Sequence, residues 1–171
     1  MDEQPLWFAV HVRSNREQQI HQILVNNSIS CFLPLYRTAS KRTDRTITLN
    51  RPLFPGYLFV HIAWRSSQRI TVLQAPGVVR IVAFSETPVP IDPEVIKSLQ
   101  ILTSDSGHFA RPHPLALSGQ KVQVVRGSFK EATGTLLTVG RKRRLVVEIS
   151  FHGRAVAVPV CAEDIIPLPA D

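Results

Sequence analysis

Chemistry in this chain would have to come from a few small groups of residues. His108 and His113 flank prolines, without the cysteines or carboxylates that would complete a metal shell around them. Cys31 and Cys161 are far apart and match no metal or redox spacing, which reads as two reduced thiols. "GSFKEATG" (127–134) has the terminal glycines of a phosphate loop but lacks the Gly-Lys-Ser/Thr that would hold a triphosphate and its metal, so a β-turn is expected there. Glu163 and Asp164 are adjacent, and on a strand their side chains would diverge; a solvated turn is expected. No Gly-x-Ser-x-Gly elbow occurs. The expectation is a non-enzymatic protein with no catalytic residue, no cofactor and no metal.

The remaining functional chemistry is positive charge. The 171 residues carry a net charge of +7, shared by residues 1–103 and 118–171, and this favours polyanionic partners. Lys41, Arg42 and Arg45 fall in "TASKRTDR", a polar tip between two strand-like runs, able to reach a phosphate backbone. Arg13 and Arg16 flank the first strand-to-helix turn and extend that face. "RKRR" (Arg141, Lys142, Arg143, Arg144) is expected on a β-turn, either as a solvated face or as a contact for RNA, DNA or an acidic protein. Neither cluster is interleaved with aromatics, which disfavours a base-stacking platform.

Several elements must position these groups. "LWFAVHVRS" reads as a strand, and Ser14-Asn15-Arg16-Glu17 has capping-box spacing ahead of a helix carrying Ile20, Ile23 and Leu24. "ISCFLPLYR", "TITL", "LFPGYLFVHI" and "VVRIVAF" read as strands. "RSSQRITVLQ" and "DPEVIKSLQILT" read as helices, the second opened by Asp92 and Pro93. This order predicts an α+β sandwich over residues 1–103. Residues 104–117, with glycine, prolines and no periodicity, read as a linker. Over residues 118–171 short Val-rich runs separated by Gly127, Gly134, Gly140 and Gly153 predict a small β-barrel that is permanently β. Hydrophobic residues make up 44% of the chain, enough for a real core. The acidic start "MDEQPLWFAV" does not read as a secretory signal, and no apolar run is long enough for a membrane span, so a cytoplasmic location is expected.

"RPLFPGYLFV" (51–60) is the unusual run. Alternation puts Tyr57 and Phe59 on one face, Leu58 and Val60 on the other. Both faces buried, as in a central strand, is one reading. The other is a half-exposed Tyr-x-Phe edge for an apolar partner, favoured by the Pro55-Gly56 interruption and the tyrosine hydroxyl.

"LWFAVHVRSNRE", "PLFPGYLFV" and "APGVVRIV" together resemble the N-terminal (NGN) domain of the bacterial NusG family of transcription elongation factors. "SGQKVQVVRGSFKEATGTLLTV" with "RRLVVEISFHGRAVAVPV" resembles that family's five-stranded C-terminal KOW barrel. The resemblance implies a monomeric, cytoplasmic factor that binds RNA polymerase across the clamp and suppresses pausing or termination. It places Phe8, His11, Tyr57 and Phe59 against the clamp helices, with Pro55 and Gly56 shaping the turn. Ser66, Ser67, Gln68 and Arg69 would face the other side of the cleft. Arg13, Arg16, Lys41, Arg42 and Arg45 would lie near upstream or non-template DNA. The barrel would recruit a ribosomal protein or Rho through Phe129, Arg141, Lys142, Arg143, Arg144, Phe151 and Arg154. "FLPLYR", the basic hairpin and "PLFPGYLFV" resemble the specialised paralogs that antiterminate polysaccharide operons more than the housekeeping factor, and Ala155-Val156 stand where the general factor has Thr-Pro. An RNA- or ribosome-binding KOW protein acting in translation is the alternative.

Overall fold

The computed structural model describes residues 4–39, 48–84, 87–104, 111–114, 119–139, 142–149 and 154–169. Fifteen strands, three α-helices and one 3-10 turn form two compact units among them, Met1–Pro34 with Phe54–Pro93, and Leu35–Leu53 with Glu94–Asp171. The boundary expected from sequence falls after residue 103; by contact, the third helix and the hairpin strands group with the C-terminal half.

In the first unit, the apolar alternation of the N-terminal run makes β1 (Leu6–Val12), the middle of an antiparallel sheet. Its order is β2 (Ser30–Phe32), β5 (Tyr57–Ile62), β1 and β6 (Val78–Ile81), with β9 (Pro90–Ile91) also paired to β1. β7 (Ala83–Phe84) and β8 (Thr87–Pro88) form a short ribbon. Helix α1 (Glu17–Asn26) buries Ile20 and Leu24, and α2 (Ser67–Gln74) buries Val72 before Pro76 and Gly77 stop it. Val10, Leu58, Val60 and Ile62 are wholly enclosed, each such side chain contributing about 1.5–3 kcal/mol.

Proline explains where the expected strands break. "ISCFLPLYR" divides at Leu33-Pro34 into β2 and β3 (Leu35–Ala39), since proline cannot donate to a ladder. β3 pairs with β4 (Thr48–Pro52) as a hairpin, and "LFPGYLFVHI" becomes the turn 53–56 followed by β5.

The second unit contains that hairpin, α3 (Pro93–Thr103) and a six-stranded antiparallel sheet. The sheet runs β10 (Arg111–Pro114), β14 (Arg154–Pro159), β13 (Lys142–Ile149), β12 (Thr133–Val139), β11 (Lys121–Val124), β15 (Ile165–Pro167). All five strands expected from the Gly-punctuated runs form, and the linker contributes a sixth, β10. β10 carries two prolines and lies at the edge of the sheet, where a missing N–H costs little. Val146, Ala155 and Ala157 form a buried cluster with Leu137 against it. Buried Ser98 of α3 ties the helix to the start of β12: its Oγ accepts from the Thr133 N–H at 2.9 Å. Beside it, Lys97 pairs with Glu131 at 2.9 Å. Among the described residues no helix is long and apolar enough to cross a membrane.

Candidate partner-binding surfaces

The register of β1 against β5 sorts the aromatic residues. Trp7 lies opposite His61, Ala9 opposite Phe59 and His11 opposite Tyr57, so these six share one face of the sheet. Three ring pairs form along that face. Trp7 stacks on His61 at 4.9 Å between centroids, Phe32 on Phe59 at 6.2 Å, and His11 on Tyr57 at 5.1 Å. In the middle pair Phe59 is sealed at 0% exposure, with the half-buried Phe32 on one side and Phe54 edge-on to it at 6.0 Å. His11 and Tyr57, at the end of the row, are half-buried, and His11 Nδ1 is enclosed without a hydrogen-bond partner among the described residues.

The turn beneath Tyr57 is held from two sides. Gly56 donates its N–H to Glu17 Oε1 at 2.8 Å, and its carbonyl accepts from the Val12 N–H at 2.9 Å. Gly56 has φ +83°, and a Cβ there would stand 3.4 Å from Ser14 Oγ, so the turn requires glycine. Pro55 is exposed beside it. The capping box expected at Ser14–Glu17 does not form. Asn15 is left-handed at φ 65°, Arg16 takes the cap position without a side-chain bond, and the Glu17 carboxylate is used on Gly56 instead. Glu17 is only 4% exposed, and this bond supplies a partner for its buried carboxylate.

Two expected contact residues are therefore corrected. Phe8 and Phe59 are core side chains at 1% and 0% exposure, and Phe8 faces the opposite side of the sheet, with its ring 5.2 Å from Trp64. A residue sealed in the core cannot present a docking face, so His11, Tyr57 and Pro55 remain of that group, with the buried Gly56 shaping the turn. At α2, Ser67 is exposed and Gln68 half-buried, while the Ser66 hydroxyl is used as a donor to the Ala63 carbonyl at 2.6 Å. Arg69 lies over the Trp64 ring at 4.2 Å, a cation–π contact that holds its guanidinium on its own unit. Arg13 and Arg16 are exposed at the β1–α1 turn, and the Arg13 N–H is anchored on the Gly77 carbonyl at 2.9 Å. Sequence reasoning missed Arg80. It is exposed on β6 and lies opposite His11 in register, which extends the Tyr57–His11 row by a cation; only the strand pairing reveals it. Lys41, Arg42 and Arg45 lie outside the described residues, between paired strands β3 and β4.

In the second unit Phe129 is 8% exposed, within the β11–β12 loop. The expected turn is present: Lys130 N–H donates to the Gly127 carbonyl at 3.2 Å and Ala132 N–H to the Phe129 carbonyl at 3.0 Å. "RKRR" is corrected: Lys142, Arg143 and Arg144 belong to strand β13, opposite Val139, Thr138 and Leu137, because the β12–β13 connection is short. Arg141 and Phe151 lie outside the described residues, and Arg154 begins β14. His113 falls on β10, and His108 lies outside the described residues. Glu163 and Asp164 sit on the 3-10 turn Ala162–Asp164, and Asp164 is half-buried instead of solvated. No group of three or more metal-ligating side chains occurs among the described residues.

Fold and surfaces together define a basic, two-unit α+β chain with half-buried aromatic and exposed basic side chains along one face of its first sheet. The family model described as "Transcription termination factor nusG" matches residues 5–100, and the chain belongs to the NusG family. It is 25% identical over 175 residues to the transcription termination/antitermination protein NusG of Thermus thermophilus, covering 89% of this chain and 92% of that one. To the NusG protein of Escherichia coli K12 it is 26% identical over 163 residues, covering 89% and 90%. A solved structure described as "Domain interaction in Thermotoga maritima NusG" matches 94% of this chain and 96% of that one, with TM-score 0.55 and 19% identity, a likeness of fold.

Proposed function

We propose that this protein is a transcription elongation and antitermination factor of the specialised-paralog type. Its first unit docks on the clamp helices of RNA polymerase through the His11–Tyr57 pair and the Pro55–Gly56 turn. Its C-terminal sheet recruits a second partner, a ribosomal protein or Rho. The supporting observation is the half-exposed His11–Tyr57 stack, braced from below by Glu17 and the Gly56 backbone. Stacked rings on a pinned turn lose little freedom when a partner covers them, so binding is not spent on ordering the site. Arg13, Arg16 and Arg80 form the exposed basic border of this face and suit the upstream or non-template DNA backbone. Lys41, Arg42 and Arg45 are likewise assigned to upstream or non-template DNA on their position in the sequence.

The mechanism is a shift in population. A factor with higher affinity for the closed clamp than for the open one holds polymerase in its processive state in proportion to that difference. The test is promoter-initiated elongation past a strong pause, with and without the protein. Shortened pause lifetimes and increased read-through of a terminator are expected, and both effects should be lost with His11→Ala/Tyr57→Ala. Unchanged pausing with the native chain would refute the reading.

A further inference from the structure

A hollow of about 300 Å³ opens in the second unit between the loop after β11 and the segment that follows β14. Val124, Phe129, Pro159 and Val160 give it an apolar lining, and Arg126 and Asp164 stand in its wall. The hollow is preformed. Val125 N–H donates to the Asp164 carbonyl at 2.7 Å and Glu131 N–H to the Val124 carbonyl at 2.8 Å, which fixes both walls on one sheet.

The Asp164 carboxylate is half-buried, and no described residue pairs with it. Gly127 leaves its flank open: even an added Cβ would come no nearer than 3.9 Å to Asp164 Oδ2. A carboxylate partly withdrawn from water gains most from a cation, and the surrounding apolar wall gains from an aliphatic side chain. The Asp164 carboxylate in the wall, with Glu163 next to it in the chain, disfavours a phosphate, which argues against nucleic acid. A volume near the lower end of ligand pockets has room for roughly two side chains.

We propose that this hollow binds an extended peptide segment of a partner protein that carries a lysine or arginine beside an apolar residue. The apolar side chain enters against Phe129 and Val124, and the cation pairs with Asp164. The inference deepens the recruiting role given to the C-terminal sheet and rests on that reading only for the protein that owns the peptide. Peptide binding is measured without polymerase, so either claim can fail alone.

Cys161 is exposed at the rim and reports occupancy. Burial pushes the Cys31 thiol from 9.0 up to about 11, leaving it about 100-fold less thiolate near neutral pH and correspondingly slow to react. The full chain is treated with N-ethylmaleimide in the presence of acetyl-Leu-Pro-Arg-amide, with acetyl-Leu-Pro-Glu-amide as control. The arginine peptide is expected to slow Cys161 alkylation saturably, about tenfold at ten times its Kd. Asp164→Asn, whose backbone bonds are unchanged, should remove the protection, and Arg126→Gln should retain it. Absence of protection, equal protection by both peptides, or protection that survives Asp164→Asn overturns the proposal. Protection that appears only in Arg126→Gln also overturns it, since Arg126 would then be the natural occupant.

Discussion

At the Tyr57 end of the first unit, rings stand partly out of water on backbone that is pinned beneath them. At the Asp164 wall of the second, the apolar groups line a hollow and a charge stands inside it. The first arrangement offers a half-exposed surface on hydrogen-bonded backbone and suits an ordered partner such as a helix. The second offers depth, with Asp164 and Arg126 in its wall, and suits a single extended segment. The difference lies in what covers the aromatic residue. Tyr57 is half-buried beside His11 on its face, whereas Phe129 is only 8% exposed in the β11–β12 loop.

Phe59→Ala separates core from surface most strongly. Removing this fully enclosed ring should cost about 3–5 kcal/mol in denaturant unfolding, whereas Tyr57→Ala should leave the midpoint nearly unchanged. Equal losses would show that Tyr57 belongs to the core. Next in size is Glu17→Ala, which strands the Gly56 N–H and should cost about 1–3 kcal/mol. Glu17→Gln keeps an accepting oxygen and should recover most of that loss. A smaller effect belongs to the second unit: Ser98→Ala leaves the Thr133 N–H without its acceptor and should cost about 1 kcal/mol. Hydrogen exchange at Thr133 should rise in that variant while the amides of β1 and β5 are unaffected.

The smallest effect is the Lys97–Glu131 pair, both side chains about half exposed. The Lys97 ammonium holds the Glu131 carboxyl below its ordinary range. Its contribution is therefore full at neutral pH and is lost as pH falls through the acidic carboxylate range. Glu131→Gln should flatten that part of the stability–pH curve only slightly, and added salt should erase the difference.

Much of this was legible in the sequence because it is local. Pro55-Gly56 marked a break, Pro76-Gly77 a helix stop, and the valine-rich runs the C-terminal strands. Alternation also placed Tyr57 and Phe59 on one face, but it could not say which is covered. Phe32, which seals Phe59, arrives from β2 through pairing that no local pattern encodes. Glu17 carried the spacing of a capping box, yet its carboxylate bonds a glycine 39 positions away. β10 was hidden by its prolines, tolerable only because the strand is at an edge. The hollow was invisible for the same reason as the Phe59 seal, since its walls come from distant segments joined at Val125 and Asp164.

The most direct test of the central claim is titration of the full chain onto core RNA polymerase beside the Tyr57→Ala variant, with unfolding midpoints measured for both. Binding by the native chain, weakened at least about tenfold in a variant of unchanged stability, is the predicted result, a loss of roughly 1.4 kcal/mol. Equal binding by the two chains would contradict the assignment of the His11–Tyr57 face as the docking surface.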